Sequence, residues 1–448
     1  MSLFVKLKSI WQTDPLLRRV VKNSGHLLSA NVLAALFGFA QGILAVRLIG
    51  VADWGLVTTV ITFASNINRL LTFRMGEVVV QRMGAALSEG RKSQAAAAVK
   101  AAMLAEALTS LLAFVILLAL APWAALTFGK DAQLGPLFAF YGLILLTNLI
   151  AESATGVLQT LRRFNWIARV NMLQGLATFS LVGLAFLTGG GIFEIVTAFV
   201  VGKTINGLGL ALLALRELHK LWGPGWWRTP LTELPAKRDL LVFMFNTNLN
   251  GTVNLFTRDN IPLYLAALLS ATEVGYFKLA LSLINLVLLP LDPFIWPTYA
   301  EITQTIARQA WDRTRQLLRR VSLITGSVVA VVGGGLALTG WFLLPFLYGP
   351  EVAPAYPALL ILLLGYGFAS IFQWNRPLLL ALDKPAYPVL VYFVVGLFEL
   401  ALIFWLVPRL GYLSLAAILS GYFVISIGII VWRGLAEIQA RSQAAQAK

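Results

Sequence analysis

Residues 386–432 read AYPVLVYFVVGLFELALIFWLVPRLGYLSLAAILSGYFVISIGIIVW, and only Glu399 and Arg409 among them are charged. A helix crosses a bilayer in about 20 mainly apolar residues. The stretch therefore holds two crossings, 386–407 and 412–433, joined at Pro408-Arg409-Leu410-Gly411. The same reading carried outward predicts ten more, at 25–49, 55–80, 96–121, 136–160, 167–188, 192–215, 241–268, 274–299, 321–347 and 355–380. Gly55, Gly129, Gly189 to Gly191, Gly275, Gly349 and Gly411 punctuate their ends.

Composition agrees. Of 448 residues, 58% are hydrophobic and 12% are charged. A soluble domain carries about 25% charged residues. Half that density cannot coat a water-soluble surface, and the mean hydropathy of +0.79 points the same way. Residues 1–24 lack an uninterrupted apolar run and a small-residue cleavage site, so they read as an amphipathic cytoplasmic lead-in rather than a signal peptide. Leu3, Phe4, Leu7 and Trp11 form its apolar side.

Basic residues orient the chain. Lys6, Lys8, Arg18, Arg19 and Lys22 precede the first crossing. Every second loop is basic thereafter, as with Arg82, Arg91 and Lys92, then Arg162 and Arg163, then Arg216, Lys220, Arg228, Lys237 and Arg238, then Arg308, Arg313, Arg315, Arg319 and Arg320. The alternate loops offer little beyond Lys130 and Arg409. Positive residues stay inside, which puts both termini in the cytoplasm. The net charge of +15 is scattered over these loops, which fits orientation and anionic lipid rather than nucleic acid. Cysteine is absent, which excludes disulfide and thiolate chemistry. His26 and His219 are too few and too distant in sequence for a metal site, and neither metal nor cofactor is expected.

An internal repeat divides the chain. An offset of 220 carries Pro15 to Pro235, Gly55 to Gly275, Gly129 to Gly349 and Gly191 to Gly411. Contexts match too, since Asp53-Trp54-Gly55-Leu56 answers Glu273-Val274-Gly275-Tyr276, and Phe128-Gly129-Lys130-Asp131 answers Tyr348-Gly349-Pro350-Glu351. The expected organisation is a six-helix bundle over 25–215, a cytoplasmic linker over 216–240 rich in interfacial tryptophan, a second bundle over 241–433, and a cytoplasmic tail over 434–448. An even number of crossings makes the repeats parallel, an architecture in which substrate binds between halves.

The chain resembles the Wzx-type polysaccharide flippases of the multidrug/oligosaccharidyl-lipid/polysaccharide (MOP) superfamily, which also includes the lipid II flippase and the MATE drug exporters. The resemblance spans essentially the whole chain. It is carried by Leu48-Ile49-Gly50 through Leu56, Glu273 to Tyr276, Leu347-Tyr348-Gly349-Pro350-Glu351 with Ala355-Tyr356-Pro357, and Val407 to Tyr412. The lipid II flippase usually carries two extra crossings, which this sequence lacks. The resemblance implies an all-α integral membrane fold of about twelve helices in two bundles around a central cavity. It implies alternating access and a polyprenyl-diphosphate-linked oligosaccharide as cargo. A coupling ion, H⁺ or Na⁺, and glycan polymerase or export machinery are the further partners expected beside membrane lipids.

Ionisable groups inside a bilayer are costly and face a cavity or one another. On the second crossing Thr62, Asn66 and Arg69 share a face, with Arg74 and Glu77 beyond them. On the fourth, Asn148, Glu152, Thr155 and Gln159 align. On the seventh, Asn246, Asn250, Asn254 and Arg258 recur every fourth residue, and on the eighth Lys278, Ser282, Asn285 and Asp292 align. Guanidinium forks and ammonium charges suit a diphosphate, which nominates Arg69, Arg258 and Lys278. Asn66, Asn250, Asn254 and Asn285 are nominated for sugar hydroxyls. Asp259, Glu77 and Asp292 are candidates for a coupling ion. Helix packing is the competing role for each of these groups, and Glu399 has no evident partner in the sequence. A MATE-like cation-coupled exporter of drugs is the rival transporter, favoured if carboxylates dominate the cavity. A membrane glycan polymerase or ligase is disfavoured, because the outer loops are only a few residues long and no aspartate-rich sugar-nucleotide motif appears.

Overall fold

Lipid cannot satisfy backbone N–H and C=O groups, so a chain this apolar must pair them within helices. The computed structural model describes residues 15–72, 74–234, 260–288, 291 and 295–446, and no strand occurs among them. Nine helices among the described residues are long and apolar enough to cross a membrane. One of these, Leu36–Leu71, covers parts of two predicted crossings, because α1 (Pro15–Leu71) continues through a non-helical Gly50 at φ 79° and ψ 173°. The next are α2 (Met75–Ser88), α3 (Lys92–Ala124), α4 (Gly135–Gly142), α5 (Ile144–Thr147), α6 (Ala151–Thr160), α7 (Phe164–Thr188) and α8 (Ile192–Trp222). The predicted seventh and eighth crossings are described in part, as α9 (Ile261–Leu268), α10 (Ala271–Leu288) and α11 (Ile295–Ala307). There follow α12 (Trp311–Val328), α13 (Gly334–Tyr348), α14 (Ala355–Ile371), α15 (Asn375–Ala381), α16 (Ala386–Leu410) and α17 (Tyr412–Gln446). Large apolar side chains stand outward along them, with Leu187 83% and Leu338 78% exposed, as lipid-facing walls require.

Three crossings that the sequence predicts as continuous are broken. The second breaks at 72–74, where Arg74 takes a left-handed φ of 48° before α2. The fourth breaks at 148–150, where Asn148 Nδ2 donates to the Ile144 carbonyl at 2.7 Å and competes with the helix ladder. The tenth breaks at 372–374, where Asn375 Nδ2 donates to the Phe372 carbonyl at 2.8 Å. Only local polar chemistry marks these sites, and hydrophobic periodicity runs straight through them.

The chain forms two compact units, the first of Met1–Leu48, Phe63–Leu126 and Asp131–Thr252, the second of Ile49–Thr62, Thr127–Lys130 and Val253–Lys448. Within the first, α2 crosses α6 at Gly76 and Gly156, where a Cβ on Gly156 would collide with the Gly76 carbonyl. Within the second, the α1 segment after Gly50 crosses α10 at Gly55 and Gly275, and a Cβ on Gly55 would collide with the Ala271 carbonyl. Small residues permit such backbone contact between membrane helices. The repeat also reappears as an ion pair in each unit. Arg163 Nε meets Glu217 Oε2 at 2.8 Å, and Lys384 Nζ meets Glu437 Oε2 at 2.6 Å. The residues just before the two cations, Arg162 and Asp383, both adopt left-handed φ, 57° and 60°. Each pair ties the turn after a broken crossing to the last helix of its unit.

Candidate binding groove

Two of the breaks meet inside the first unit. The N-termini of α2 and α6 lie together, and the Glu152 carboxylate accepts the Met75 backbone N–H. Helix N-termini carry partial positive charge and unsatisfied N–H groups. Glu106 of α3 answers the α6 terminus from the other side. Its Oε1 accepts from Glu152 N and its Oε2 from Ser153 N, both at 2.8 Å, while the side chain is only 1% exposed. A carboxylate buried in a membrane helix is thus held by the charge-assisted bonds that burial demands.

Beside this junction opens a groove of about 450 Å³, lined chiefly by Arg74, Glu77, Glu152, Thr155, Gln159 and Asn206. Arg74 Nη1 pairs with Glu77 Oε1 at 2.9 Å, and both side chains are about half exposed. Glu152 also lies within electrostatic reach of Arg74, Glu77 and Arg69. Asn206 on α8 donates to Asn171 Oδ1 at 2.9 Å, fixing the far wall. One cation, Arg74, two carboxylates and a row of amide and hydroxyl groups therefore gather in one recess at the two helix N-termini, with Arg69 within electrostatic reach of Glu152. Such a recess can hold an anion against the arginines while offering donors and acceptors to hydroxyl-rich ligands.

The nominated residues distribute unevenly. Arg69 is exposed on the last turn of α1, and Glu77 lines the groove. Asn66 is 5% exposed and sits inside the packing of α1. In the second unit Lys278 is half-buried and Asn285 exposed, both on α10. Asn250, Asn254, Arg258, Asp259 and Asp292 lie outside the described residues. Of the fourth-crossing stripe, Glu152, Thr155 and Gln159 line the groove, whereas Asn148 turns to the break. Sequence reasoning passed over Glu106 and Asn206. The lone carboxylate in the predicted crossing at 96–121 was the signal for the first; nothing singled out the second. Glu399 is 2% exposed on α16, and its neighbour is Tyr264 of α9, whose ring also meets Phe404 at 5.7 Å.

A family model described as "Polysaccharide biosynthesis protein" matches residues 20–296, more than half of the chain. The inner membrane protein YghQ of Escherichia coli (strain K12) is 23% identical over 349 residues, covering 77% of this chain and 97% of that one. An inward-facing multidrug resistance MATE family transporter of the MOP superfamily superposes with a TM-score of 0.70 at 13% identity, over 92% of this chain and 96% of the other. The lipid II flippase MurJ, in an inward closed conformation, gives 0.68 at 14% identity, over 93% and 90% of the two chains. At these identities the structural likenesses establish a shared fold.

Proposed function

This chain belongs to the polysaccharide biosynthesis protein family, and on that premise we propose that it is a flippase for a polyprenyl-diphosphate-linked oligosaccharide. The observation that carries the reading is the polar recess at the facing breaks of the first unit, set in helices otherwise dressed for lipid. A diphosphate headgroup is drawn by Arg69 and Arg74. Phosphate oxygens compete with Glu77 for the Arg74 fork, so the ion pair gives the recess a closed resting state without ligand. Thr155, Gln159 and Asn206 contact sugar hydroxyls without selecting one sugar. Arg69 lies about 21 Å along α1 from Gly55, toward the cytoplasmic leaflet from which the cargo is taken, and Arg74 follows just beyond the end of that helix. The lipid tail stays in the bilayer, and release is to the outer leaflet of the inner membrane. Arg258, Lys278, Asn250, Asn254 and Asn285 remain proposed contacts outside the recess, and the coupling ion, H⁺ or Na⁺, is proposed to act at a carboxylate such as Glu77, Asp259 or Asp292.

The test is export in cells carrying Arg69→Gln with Arg74→Gln. Cytoplasmic-leaflet lipid-linked oligosaccharide should accumulate while protein levels stay normal. Undiminished export by the double variant would refute the assignment. Drug resistance lost on deletion, with lipid-linked intermediates unchanged, would favour the MATE-like exporter instead.

A further inference from the structure

The repeat offset of 220 exposes a second groove. In the first unit, Ala95 and Val99 of α3 are fully buried. Trp222 and Trp226 pack on the apolar cluster that contains them. The linker lies along the same helix, with Lys100 Nζ donating to the Thr229 carbonyl at 3.1 Å and Ser93 Oγ to Glu233 Oε2 at 3.4 Å. The Glu106 carboxylate fills the helix break behind. In the second unit the corresponding positions on α12 are Arg315, Arg319 and Gly326. Alanine, valine and glutamate are replaced by two arginines and a glycine, and no side chain from position 326 reaches the break.

What results is a cavity of about 600 Å³ lined by Arg315, Arg319, Gly326, Phe372, Trp374 and Leu435, among others. Its floor is rigid. Trp374 is 3% exposed, and its Nε1 donates to Ser322 Oγ at 2.7 Å. Phe372 meets that indole edge-on at 5.9 Å. The rim is apolar and outward-facing, with Leu323 60% and Leu435 42% exposed. Both arginines are exposed at one end. From Arg319 to Ala330, the far lining residue on this helix, the groove runs about 16 Å along the helix. One leaflet of a bilayer's hydrocarbon core is about 15 Å deep.

We propose that this groove is a binding site for one anionic glycerophospholipid, its phosphate at Arg315 and Arg319 and an acyl chain lying over Gly326 against Trp374. Two features select that occupant. The apolar walls accept hydrocarbon and reject sugar, and the two arginines at one end favour a phosphate, which would compete with exposed Asp312, 3.6 Å from Arg315, for that cation. In the first unit protein covers the same face; in the second a lipid takes that place. The site is separate from the polar recess and does not depend on its cargo.

Native mass spectrometry of the purified full chain, delipidated and then titrated with phosphatidylglycerol or phosphatidylcholine of identical chains, tests this. The wild type should retain phosphatidylglycerol with a preference of about thirtyfold, the product expected of two surface arginines. Arg315→Gln with Arg319→Gln should bring the preference close to one. Gly326→Leu leaves the arginines intact, and a Cβ there meets only Ile371 Cγ1 at 3.8 Å, so the longer side chain grows into the groove. It should abolish retention without unfolding the protein, whereas Arg320→Gln, off the groove, should change nothing. Unaltered preference in the double variant would overturn the proposal, as would full retention in Gly326→Leu, which would mean adsorption to surface charge alone. Displacement of phosphatidylglycerol by polyprenyl phosphate at equal concentration would overturn it in favour of the cargo's own tail.

Discussion

The two units break corresponding crossings and repair the breaks with opposite chemistry. In the first, Glu106 crosses from α3 and binds two backbone N–H groups of α6, leaving a charged recess on the other side of the junction. In the second, Gly326 stands where that glutamate would be, and the break is braced by aromatic rings, by the Trp374–Ser322 bond, and by Thr325 Oγ1 donating to the Ile371 carbonyl at 3.3 Å. A shared backbone therefore carries a polar face in one unit and a hydrocarbon-lined groove in the other. Internal duplication fixed the scaffold, and a few side chains divided the labour.

Glu106→Ala should be the most damaging of the changes that probe this contrast. It strands two buried N–H groups and should cost about 3 kcal/mol, measured as thermal unfolding in detergent. Gly326→Ala, its counterpart, should be nearly neutral because its Cβ has room. Equal losses at the two positions would abolish the distinction drawn between the units. A smaller effect is expected at the repeated ion pairs. Glu437 meets Lys384, Arg441 and Arg433 at 2.6, 3.0 and 3.6 Å, whereas Glu217 meets only Arg163 and Lys220 among the described residues, at 2.8 and 3.0 Å. Glu437→Gln should therefore lower stability by about 2 kcal/mol and Glu217→Gln by about 1; the reverse order would show that partner number is not what matters. The smallest change is Trp374→Phe, which keeps the ring and loses the bond to Ser322, for about 1 kcal/mol. A larger loss would mean that the indole N–H organises the break rather than merely bracing it.

Much of the fold was legible because lipid imposes a simple code. Apolar runs located the crossings, and glycines sharing one offset located the repeat. The structure then places two of those glycines, Gly55 and Gly275, against each other. The helix breaks were not legible. No proline marks 72–74, 148–150 or 372–374, and the asparagines that divert the backbone look like any polar residue on a stripe. The recess was half legible. Periodicity aligned Glu152, Thr155 and Gln159, but Arg74 with Glu77 read equally well as a local pair. Glu106 and Asn206 are 46 and 54 residues from Glu152, a separation that no local pattern bridges. Glu217 and Glu437 share the offset of 220, but their cations Arg163 and Lys384 are one residue out of register with it, and in sequence both pairs vanish among basic loop residues.

The Gly76–Gly156 crossing has a mechanical consequence. Knobs of side chain normally lock one helix into the holes of its neighbour. Here the two backbones themselves meet, with Val78 and Val79 of α2 and Val157 and Leu158 of α6 packed in one cluster around the contact. A single methyl group added at Gly156 has no room there and would force the two helices apart.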